Sequence, residues 1–385
     1  MYSETKRIDY LDSVRGLAAL FVLNSHCISL FVWPPLLGHL INLPLVQILF
    51  DGKAAVAMFF VLSGFVLSRP YLVADEAGRP PRKILPLTFY LRRFTRIWLP
   101  WLAAWCVSAL AQRFLFHPPA TTPPFSAWGD QLWHHFPTWK TFLQQCVFIL
   151  HDKEFQLLTQ DWSLGIELKG SALIPIFILL VAGWRLLGLS LLGLVLLLGL
   201  NAGHCYVSFI LGVLLAKYAG KIIPFLRRQP AGLIFILGVA AMALYETRLY
   251  CLYFSSYLFI HGEKFIWICT SAGCVGLLIL CISSNCLQRI LQHQWLVFTG
   301  KISYSLYLFQ LVVILCLLPG LVAELNRLGI YQTRFLFPLT LLAGVLATLA
   351  LSALTYWVFE RPSIRLGHFL TVYFQSKFFN KKTKV

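Results

Sequence analysis

Two polar residues in the first apolar segment of the chain, Arg15 and His26, are candidates for chemistry. On an α-helix their spacing is only about 20° beyond three full turns, so both side chains share one face, about 16 Å apart along the axis. Asp12 lies one turn before Arg15 and is placed to hold it as an ion pair. The functional interpretation is a cation and an imidazole that face one cavity. The alternative is that Arg15 reaches nearby lipid headgroups and His26 is a packing residue.

A carboxylate in a later apolar segment is placed to act on the same imidazole. Glu167 lies about one turn inside the segment 162–183, at the depth expected for His26. A carboxylate beside an imidazole orients the ring and raises its basicity, as a general base requires. His26 and Glu167 are therefore the catalytic candidates. A structural contact of Glu167 with Lys169 or with the backbone is the alternative.

A basic cluster, formed by Arg92, Arg93 and Arg96, precedes another apolar segment. Arg93 and Arg96 are three residues apart, so they project from one helix turn. Guanidinium groups bind phosphate through charge-assisted and often bidentate hydrogen bonds. The cluster is therefore a candidate site for a polyanion such as a nucleotide. The alternative is that its charges only keep this loop on the cytoplasmic side of a membrane.

Further polar residues within apolar segments are candidates for lining a cavity around these groups. A helix that carries many of them should not present all of them to lipid. Hydrogen bonds between packed helices are the equal alternative, and Ser63-Gly64 also allows two helices to approach closely. The supporting residues are Asp12, Ser63, Trp162, Ser163, Ser303, Tyr304 and Tyr307.

The elements that must position these residues are membrane helices. Of 385 residues, 58% are hydrophobic and 12% are charged, and the mean hydropathy is +0.74. So few charges cannot cover a soluble protein of this length, and the composition also excludes disordered and fibrous classes. We predict an all-α membrane bundle of about ten spans, each needing ~20 apolar residues. The predicted spans are 11–32, 53–72, 97–116, 162–183, 186–202, 205–219, 230–246, 264–283, 295–318 and 335–358.

The distribution of basic residues predicts the orientation of the bundle. The net charge is +17, from 32 Lys and Arg against 15 Asp and Glu. With the N-terminus inside, 21 of these basic residues fall in cytoplasmic regions and 8 in outer regions, which predicts that both termini are cytoplasmic. The charge therefore indicates topology rather than nucleic-acid binding. We divide the chain into a membrane domain, 1–365, and a basic cytoplasmic tail, 366–385, that would touch anionic lipid.

Two other features of the sequence bear on function. The ten cysteines are scattered and none forms a Cys-x-x-Cys pair, so we predict neither a metal site nor a disulfide framework. A long outer loop, 117–161, is rich in Pro, Trp and His. Such a loop is typical of an amphipathic segment in the membrane interface, and glycan binding is the alternative.

Six short motifs occur along the chain in a fixed order. They are Arg15-x10-His26, Phe59-Phe60-Val61-Leu62-Ser63-Gly64-Phe65, Arg93-x-x-Arg96, Trp162-Ser163-Leu164-x-x-Glu167, Ser303-Tyr304-x-x-Tyr307-Leu308 and Glu360-Arg361-Pro362. With the predicted spans, this order resembles the acyltransferase-3 family of integral membrane acyltransferases, over about residues 7–365. The resemblance implies an acyl-CoA donor, usually acetyl-CoA, taken from the cytoplasm. It also implies that His26 and Arg15 are essential and that Arg15, Arg93 and Arg96 bind acyl-CoA.

Three positions depart from the pattern of that family. Ala57 stands where many relatives have Asp, and Gln310 stands near the place where many have His, so proton transfer should depend more heavily on His26. Lys169-Gly170 stand where aromatic residues often follow the Trp-Ser-Leu-x-x-Glu motif, which indicates a different acceptor subgroup.

The resemblance therefore implies a multi-pass O-acyltransferase of the bacterial cell inner membrane. Its acceptor would be a hydroxyl of a surface glycan, such as lipopolysaccharide O-antigen or a lipid-linked precursor. Membrane lipids are the other expected partners, with no nucleic acid and no permanently bound cofactor. The alternative is a secondary transporter or acyl-group exporter that uses the buried Arg, His and Glu as a relay, although the sequence shows no transporter-type repeat.

Overall fold

The computed structural model describes residues 8–74, 80–81, 83–117, 123–133, 136, 138–140, 157–183 and 203–379. Over these residues the chain is helical, with one isolated β-bridge and no strand, which confirms the predicted all-α class. The helices are α1 Asp9–Ser29, α2 Pro35–Ile41, α3 Gly52–Leu72, α4 Pro86–Phe114, α5 Asp161–Gly183, α6 Gly203–Leu226, α7 Ala231–Tyr245, α8 Thr247–Phe254, α9 Ser256–His261, α10 Glu263–Ser283, α11 Asn285–Leu291, α12 Gln294–Lys301, α13 Ser303–Cys316, α14 Leu318–Arg327, α15 Thr333–Thr355 and α16 Arg361–Phe379.

The described part of the chain has seven helical segments long and apolar enough to cross a membrane, or eight if the bent pair of α7 and α8 is one span. The two helices of that pair meet at 64°. α1, which carries Asp12, Arg15 and His26, is not among the seven. The predicted span 186–202 lies outside the described residues. The chain is a multi-pass membrane protein, and the count of ten spans and the side of each terminus stay predictions.

Several spans have other limits than those predicted. α4 begins at Pro86 rather than at residue 97, and proline is favoured in the first turn of a helix. The predicted span 295–318 is two helices, α12 and α13, which are separated at Ile302. α15 continues through a π-helical turn, Tyr356–Glu360, into α16. Residues 366–379 of the predicted tail are therefore helical, and the division of the chain at residue 365 stays a prediction.

Two compact units divide the chain. The first unit comprises Met1–Val22, His39–Lys83 and Leu173–Ser303. The second unit comprises Leu23–Gly38, Ile84–Ala172 and Tyr304–Val385. Helices α1, α2, α5 and α13 contribute residues to both units.

In the first unit, α3 and α6 pack at very short distance. A Cβ added to Gly64 would overlap the carbonyl oxygen of Phe209, and one added to Gly212 would overlap that of Val61. Only glycine leaves room for backbones to approach so closely. The predicted use of Ser63-Gly64 for close helix packing is confirmed.

In the second unit, α4 and α5 run antiparallel, and three contacts fix their register. Trp101 contacts Asp161, Arg93 contacts Glu167, and Tyr90 donates to the carbonyl of Ala172. Later positions of α4 thus pair with earlier positions of α5.

Helix α16 also packs along α4 in the second unit. Arg92 Nε donates to Thr371 Oγ1 at 3.2 Å, and a Cβ added to Gly367 would overlap the Thr95 hydroxyl. Thr371 is fully buried. This part of the chain after residue 365 is therefore packed against a membrane helix.

The start of α13 is held by a buried carboxylate from the π-helical turn. The first N–H groups of a helix have no partner within it. Glu360, 2% exposed, accepts from the backbone N–H of Ser305 at 3.1 Å and from its hydroxyl at 2.7 Å. The Glu-Arg-Pro motif thus fixes the helix that carries Tyr304, Tyr307 and Gln310.

Candidate functional site

The ion pair predicted in α1 is present in the first unit. Arg15 Nη1 lies 2.9 Å from Asp12 Oδ1. A Cβ added to Gly300 would overlap the Asp12 backbone, so α12 packs directly against this turn of α1. Ser63 and Ser303 belong to the same unit. The binding of acyl-CoA by Arg15, and the cavity role of these two serines, stay predictions.

Arg93 lies in the second unit and is paired. Its Nη2 atom donates to Ser171 Oγ at 2.7 Å and to Glu167 Oε1 at 3.0 Å. The Arg93 side chain is 11% exposed and that of Glu167 is 20% exposed. We expected Glu167 to lie beside the His26 imidazole. In the structure its carboxylate forms an ion pair with Arg93, which is predicted to bind phosphate. The catalytic role of Glu167 stays a prediction.

The other two arginines of the cluster differ from Arg93. Arg92 is exposed and faces α16 through its bond to Thr371. Arg96 is half-buried, lies close enough to act on the charge of Arg93, and makes neither a hydrogen bond nor an ion pair within the described chain. Of the three arginines, Arg96 is therefore the one whose guanidinium N–H groups make no hydrogen bond within the described chain.

Hydroxyl and amide groups join the start of α5 to α13. Ser163 Oγ lies 2.5 Å from the Tyr307 hydroxyl and donates to the Gln160 carbonyl at 2.9 Å. Gln160 Nε2 donates to the carbonyls of Tyr307 and Leu308 at 3.2 and 3.1 Å. One turn earlier on α13, Tyr304 donates to the carbonyl of Ile97 at 2.6 Å. The structure thus brings together Ser163 and Tyr307, two of the predicted supporting residues.

Asp161, the first residue of α5, is a buried carboxylate. It is 3% exposed, and its Oδ1 atom accepts from Trp101 Nε1 at 2.8 Å. Its Oδ2 atom is buried without a hydrogen-bond partner among the residues that the structure describes. Trp162, the next residue, is half-buried.

His26 lies in the last turn of α1, in the part of that helix that belongs to the second unit. Its ring stacks on Trp128 with 5.3 Å between centroids and 16° between planes. The amide of Gln310 lies beside the imidazole. His26 Nδ1 is buried and makes no hydrogen bond within the described ranges. The imidazole therefore has a fixed plane and an unused nitrogen.

The segment 123–133 holds Trp128 against His26. Backbone N–H groups of Val32 and Ser126 donate to the carbonyls of Pro124 and Leu30, both at 2.9 Å. A Cβ added to Gly129 would overlap the Leu30 carbonyl. This part of the predicted outer loop therefore follows the chain after α1, while 118–122, 134–135, 137 and 141–156 lie outside the described residues.

The polar groups of the second unit follow one another along α4. Arg93 and Trp101 are eight residues apart, about 12 Å along the helix axis. Arg93 meets Glu167, Ile97 meets Tyr304, and Trp101 meets Asp161. Gln310 is one turn further along α13 than Tyr307, and His26 lies beside it. The basic end and the imidazole end of the site are therefore at different depths.

Sequence reasoning did not select several residues of this site. The polar pair Gln160-Asp161 at the start of a span was a usable signal, because buried polar groups need partners. Trp101 and Trp128 gave no such signal, since tryptophan is common at membrane interfaces. Within the described chain, no group of three or more His, Cys, Asp or Glu could hold a metal ion.

The fold defines a multi-pass helical membrane protein whose second unit gathers a histidine, an arginine–glutamate pair and several hydroxyl groups. The chain belongs to the acyltransferase-3 family: the family model described as an acyltransferase domain matches residues 8–357. The resemblance indicated by the six motifs is confirmed, and the protein is a membrane acyltransferase. No curated protein and no solved structure matches the chain.

Proposed function

We propose that this acyltransferase moves an acetyl group from cytoplasmic acetyl-CoA to a hydroxyl of a cell-surface glycan, in the inner membrane of a bacterium. The acceptor is a lipopolysaccharide O-antigen or a lipid-linked precursor. The observation that carries the proposal is His26: its imidazole stacks on Trp128 and lies beside the Gln310 side chain, and its buried Nδ1 makes no hydrogen bond within the described part of the chain. A fixed imidazole with a free nitrogen is what a general base for a hydroxyl requires.

The donor end of the proposed site is the Arg93–Arg96 turn of α4. Phosphate groups of CoA are anionic, and arginine binds them through charge-assisted hydrogen bonds. Within the described residues Arg96 makes no hydrogen bond, whereas Arg93 donates to Glu167 and Ser171. We therefore assign direct phosphate contact to Arg96 first, with Arg93 adding charge beneath it.

The separation of the two ends supports a donor that reaches through the unit. Arg93 lies about 12 Å from the level of Trp101 and Asp161 along α4, and His26 lies beyond that level beside Gln310. CoA carries its thioester at the end of an extended pantetheine arm of similar length. With its phosphates at Arg96, the arm would bring the thioester to His26.

The proposed chemistry transfers the acyl group in one balanced exchange. The acceptor hydroxyl gives its proton to His26, and its oxygen forms a bond to the thioester carbonyl carbon. The carbon–sulfur bond breaks, and the departing CoA sulfur takes the proton from the imidazolium. A positioned general base contributes ~10²–10⁴-fold in rate. Transient acylation of His26 is the variant of this scheme in which the imidazole itself forms the first bond.

The test uses the purified protein in proteoliposomes with acetyl-labelled acetyl-CoA on the Arg96 side and polysaccharide on the other. The polysaccharide is the surface polysaccharide of the source strain, chemically stripped of its O-acyl groups. Label on the polysaccharide, with free CoA retained on the donor side, supports the proposal. Label that crosses as free acetate with no polysaccharide product supports the exporter, and no release of CoA contradicts both.

A further inference from the structure

A groove lies between three membrane helices of the first unit. Its volume is about 600 Å³, within the ~300–1,000 Å³ typical of sites that hold small molecules. Helix α10 packs against both α6 and α7, and each of the three helices contributes a wall. All three belong to the same compact unit. The lining residues are Lys221, Ile222, Phe225 and Leu226 of α6, Leu237 of α7, and Gly276, Ile279 and Leu280 of α10.

The walls of the groove are apolar apart from one lysine. Phe225 is 63% exposed and Leu237 is 40% exposed, so the groove opens to the surroundings of the helices. Its inner part is at Gly276, where α10 lies so close to α7 that an added Cβ would overlap the Ala241 side chain. Gly276 stands about 10 Å from the end of α10 along the helix axis. Such walls suit an acyl chain, which needs no hydrogen-bond partner, and not a sugar or a nucleotide.

One end of the groove lies at a membrane boundary. Arg227 Nε donates to the carbonyl of Ser283 at 3.1 Å, so the end of α6 meets the end of α10. Both helices are long and apolar enough to cross a membrane, and their ends therefore mark one surface of the bilayer. The distribution of basic residues predicts that this surface is the cytoplasmic one.

Basic side chains without acidic partners gather at this end. The Lys221 ammonium makes neither a hydrogen bond nor an ion pair within the described residues, and its flexible stem can carry it to the membrane surface. Arg228 follows α6 and Arg289 lies on α11, and their exposed side chains make no such contact in the described ranges either. The stretches 217–229 and 284–294 contain no Asp or Glu. The end of the groove therefore carries positive charge that neither stretch neutralises.

We propose that this groove binds an anionic phospholipid, with an acyl chain along the apolar walls and the headgroup phosphate on Lys221. Basic pockets between membrane helices at the cytoplasmic surface bind such headgroups. A zwitterionic phospholipid brings the same chain, but its own ammonium group would meet the basic side chains. A free phosphate or a nucleotide lacks the chain. The lipid site is separate from acyl transfer, so neither result depends on the other.

Native mass spectrometry of the detergent-purified protein measures this binding directly. The probes are phosphatidylglycerol and phosphatidylcholine with identical acyl chains, each titrated alone. The wild-type protein should bind phosphatidylglycerol roughly fivefold more tightly or more, which is the share of one basic residue at a headgroup. Equal affinity for the two lipids would overturn the proposal. A lipid-free dimer would also overturn it, because a second copy of the chain would then cover the groove.

A charge variant tests the headgroup contact. Lys221→Gln should weaken phosphatidylglycerol binding roughly fivefold and leave phosphatidylcholine binding unchanged. Lys264→Gln is the matched control, because Lys264 is exposed in the first turn of α10, at the other end of that helix. It removes the same charge and should bind both lipids like wild-type. Equal losses in the two variants would show that only the net charge of the protein attracts the lipid, which contradicts the site.

A second pair of variants tests the position of the acyl chain. Leu237→Trp fills the groove and should weaken the binding of both lipids roughly 10-fold, as the loss of about two buried methylene groups would. Val239→Trp is the matched control, since Val239 is 54% exposed on the same helix and does not line the groove. Equal Tm values in detergent without added lipid check that all four variants fold. Unchanged lipid binding in Leu237→Trp would overturn the groove as the binding site.

Photo-crosslinking locates the lipid without any substitution. The probe is phosphatidylglycerol with a diazirine in one acyl chain, added to the wild-type protein in phosphatidylcholine vesicles. After irradiation, the label should map to peptides that contain 221–226, Leu237 or 276–280, and excess unlabelled phosphatidylglycerol should remove it. A label spread evenly over the lipid-exposed helices, or one that phosphatidylcholine removes equally well, would contradict the proposal.

Discussion

Arg93 and Arg96 stand one helix turn apart but differ in what neutralises them. The Arg93 guanidinium is held by Glu167 and Ser171, and little of it is exposed. A buried guanidinium is stable only with such partners, because an unpaired buried charge is costly. In this structure Glu167 therefore neutralises Arg93. A substitution of Glu167 would change the reaction rate in part through the loss of this contact.

Loss of the Arg96 side chain should weaken acetyl-CoA binding more than loss of the Arg92 side chain. Arg96→Ala removes the guanidinium that makes no hydrogen bond within the described ranges. Each charge-assisted phosphate contact contributes ~1.5–3 kcal/mol, or about 10- to 100-fold in acetyl-CoA affinity. Arg92→Ala is the matched control, since Arg92 points to Thr371 on α16 and should leave affinity within about twofold. Equilibrium binding at two salt concentrations measures both. Equal losses in the two variants would return the cluster to a topological role.

Trp128 should matter through the plane of the imidazole. An aromatic stack contributes ~0.5–1.5 kcal/mol beyond area burial, so Trp128→Ala should lower kcat by about 2- to 10-fold with the Km for acetyl-CoA unchanged. Trp128→Phe keeps a stacking ring on His26 and should retain most of the rate. Steady-state kinetics on the two variants gives the answer. A Phe variant as slow as the Ala variant would show that stacking is not what Trp128 provides.

At the scale of elements, the close α3–α6 contact involves Gly64 of the Phe59–Phe65 motif. Gly64→Ala places a methyl group on the Phe209 carbonyl, and overpacking of this kind costs ~1–3 kcal/mol. Gly220→Ala on α6 is the matched control, because an added Cβ there meets nothing within 4 Å and alanine favours helix by up to ~1 kcal/mol. Thermal unfolding in detergent should show a lower Tm for the first and an equal or higher Tm for the second. The reverse order would contradict the packing.

The first residue of a helix can be predicted from the sequence where one apolar run forms one membrane helix. α3 and α5 begin within one residue of the predicted spans 53–72 and 162–183, because hydrophobic length is set by the membrane. The predicted span 295–318 missed the break at Ile302, although Lys301 and Ser303 flank it in the sequence. The break depends on Glu360, a distant residue that satisfies the backbone of the new helix start.

At the scale of the whole molecule, the charge distribution predicts the orientation. Reporter fusions at Gly78 and after Lys381 should read cytoplasmic, and a fusion near Trp128 should read outside, because basic loops are retained in the cytoplasm. At each position two reporters are compared, one that is active only in the cytoplasm and one that is active only outside it. An outside signal at Gly78 would leave the Arg96 turn without access to cytoplasmic acyl-CoA.

The chemistry of the site was predictable in its residue types and not in its pairings. The apolar surroundings of His26 and Glu167 marked both of them, since ionisable residues in spans are rare and functional. Arg93 was marked by its spacing from Arg96 in the basic cluster before a span. Their partners depend on how helices pack, and no local pattern of the sequence encodes that. The structure pairs Glu167 with Arg93, and it places Trp128 and Gln310 at His26.

The central claim is that His26 performs the transfer, and the most direct measurement is the rate of label transfer by His26→Ala protein. Proteoliposomes would hold acetyl-labelled acetyl-CoA on the donor side and de-O-acylated polysaccharide on the other. Loss of a positioned base should lower the transfer rate by ~10²–10⁴-fold, while acetyl-CoA binding and membrane insertion stay close to wild-type. Transfer by the His26→Ala protein at a rate near that of wild-type would contradict the account and place the catalytic centre elsewhere.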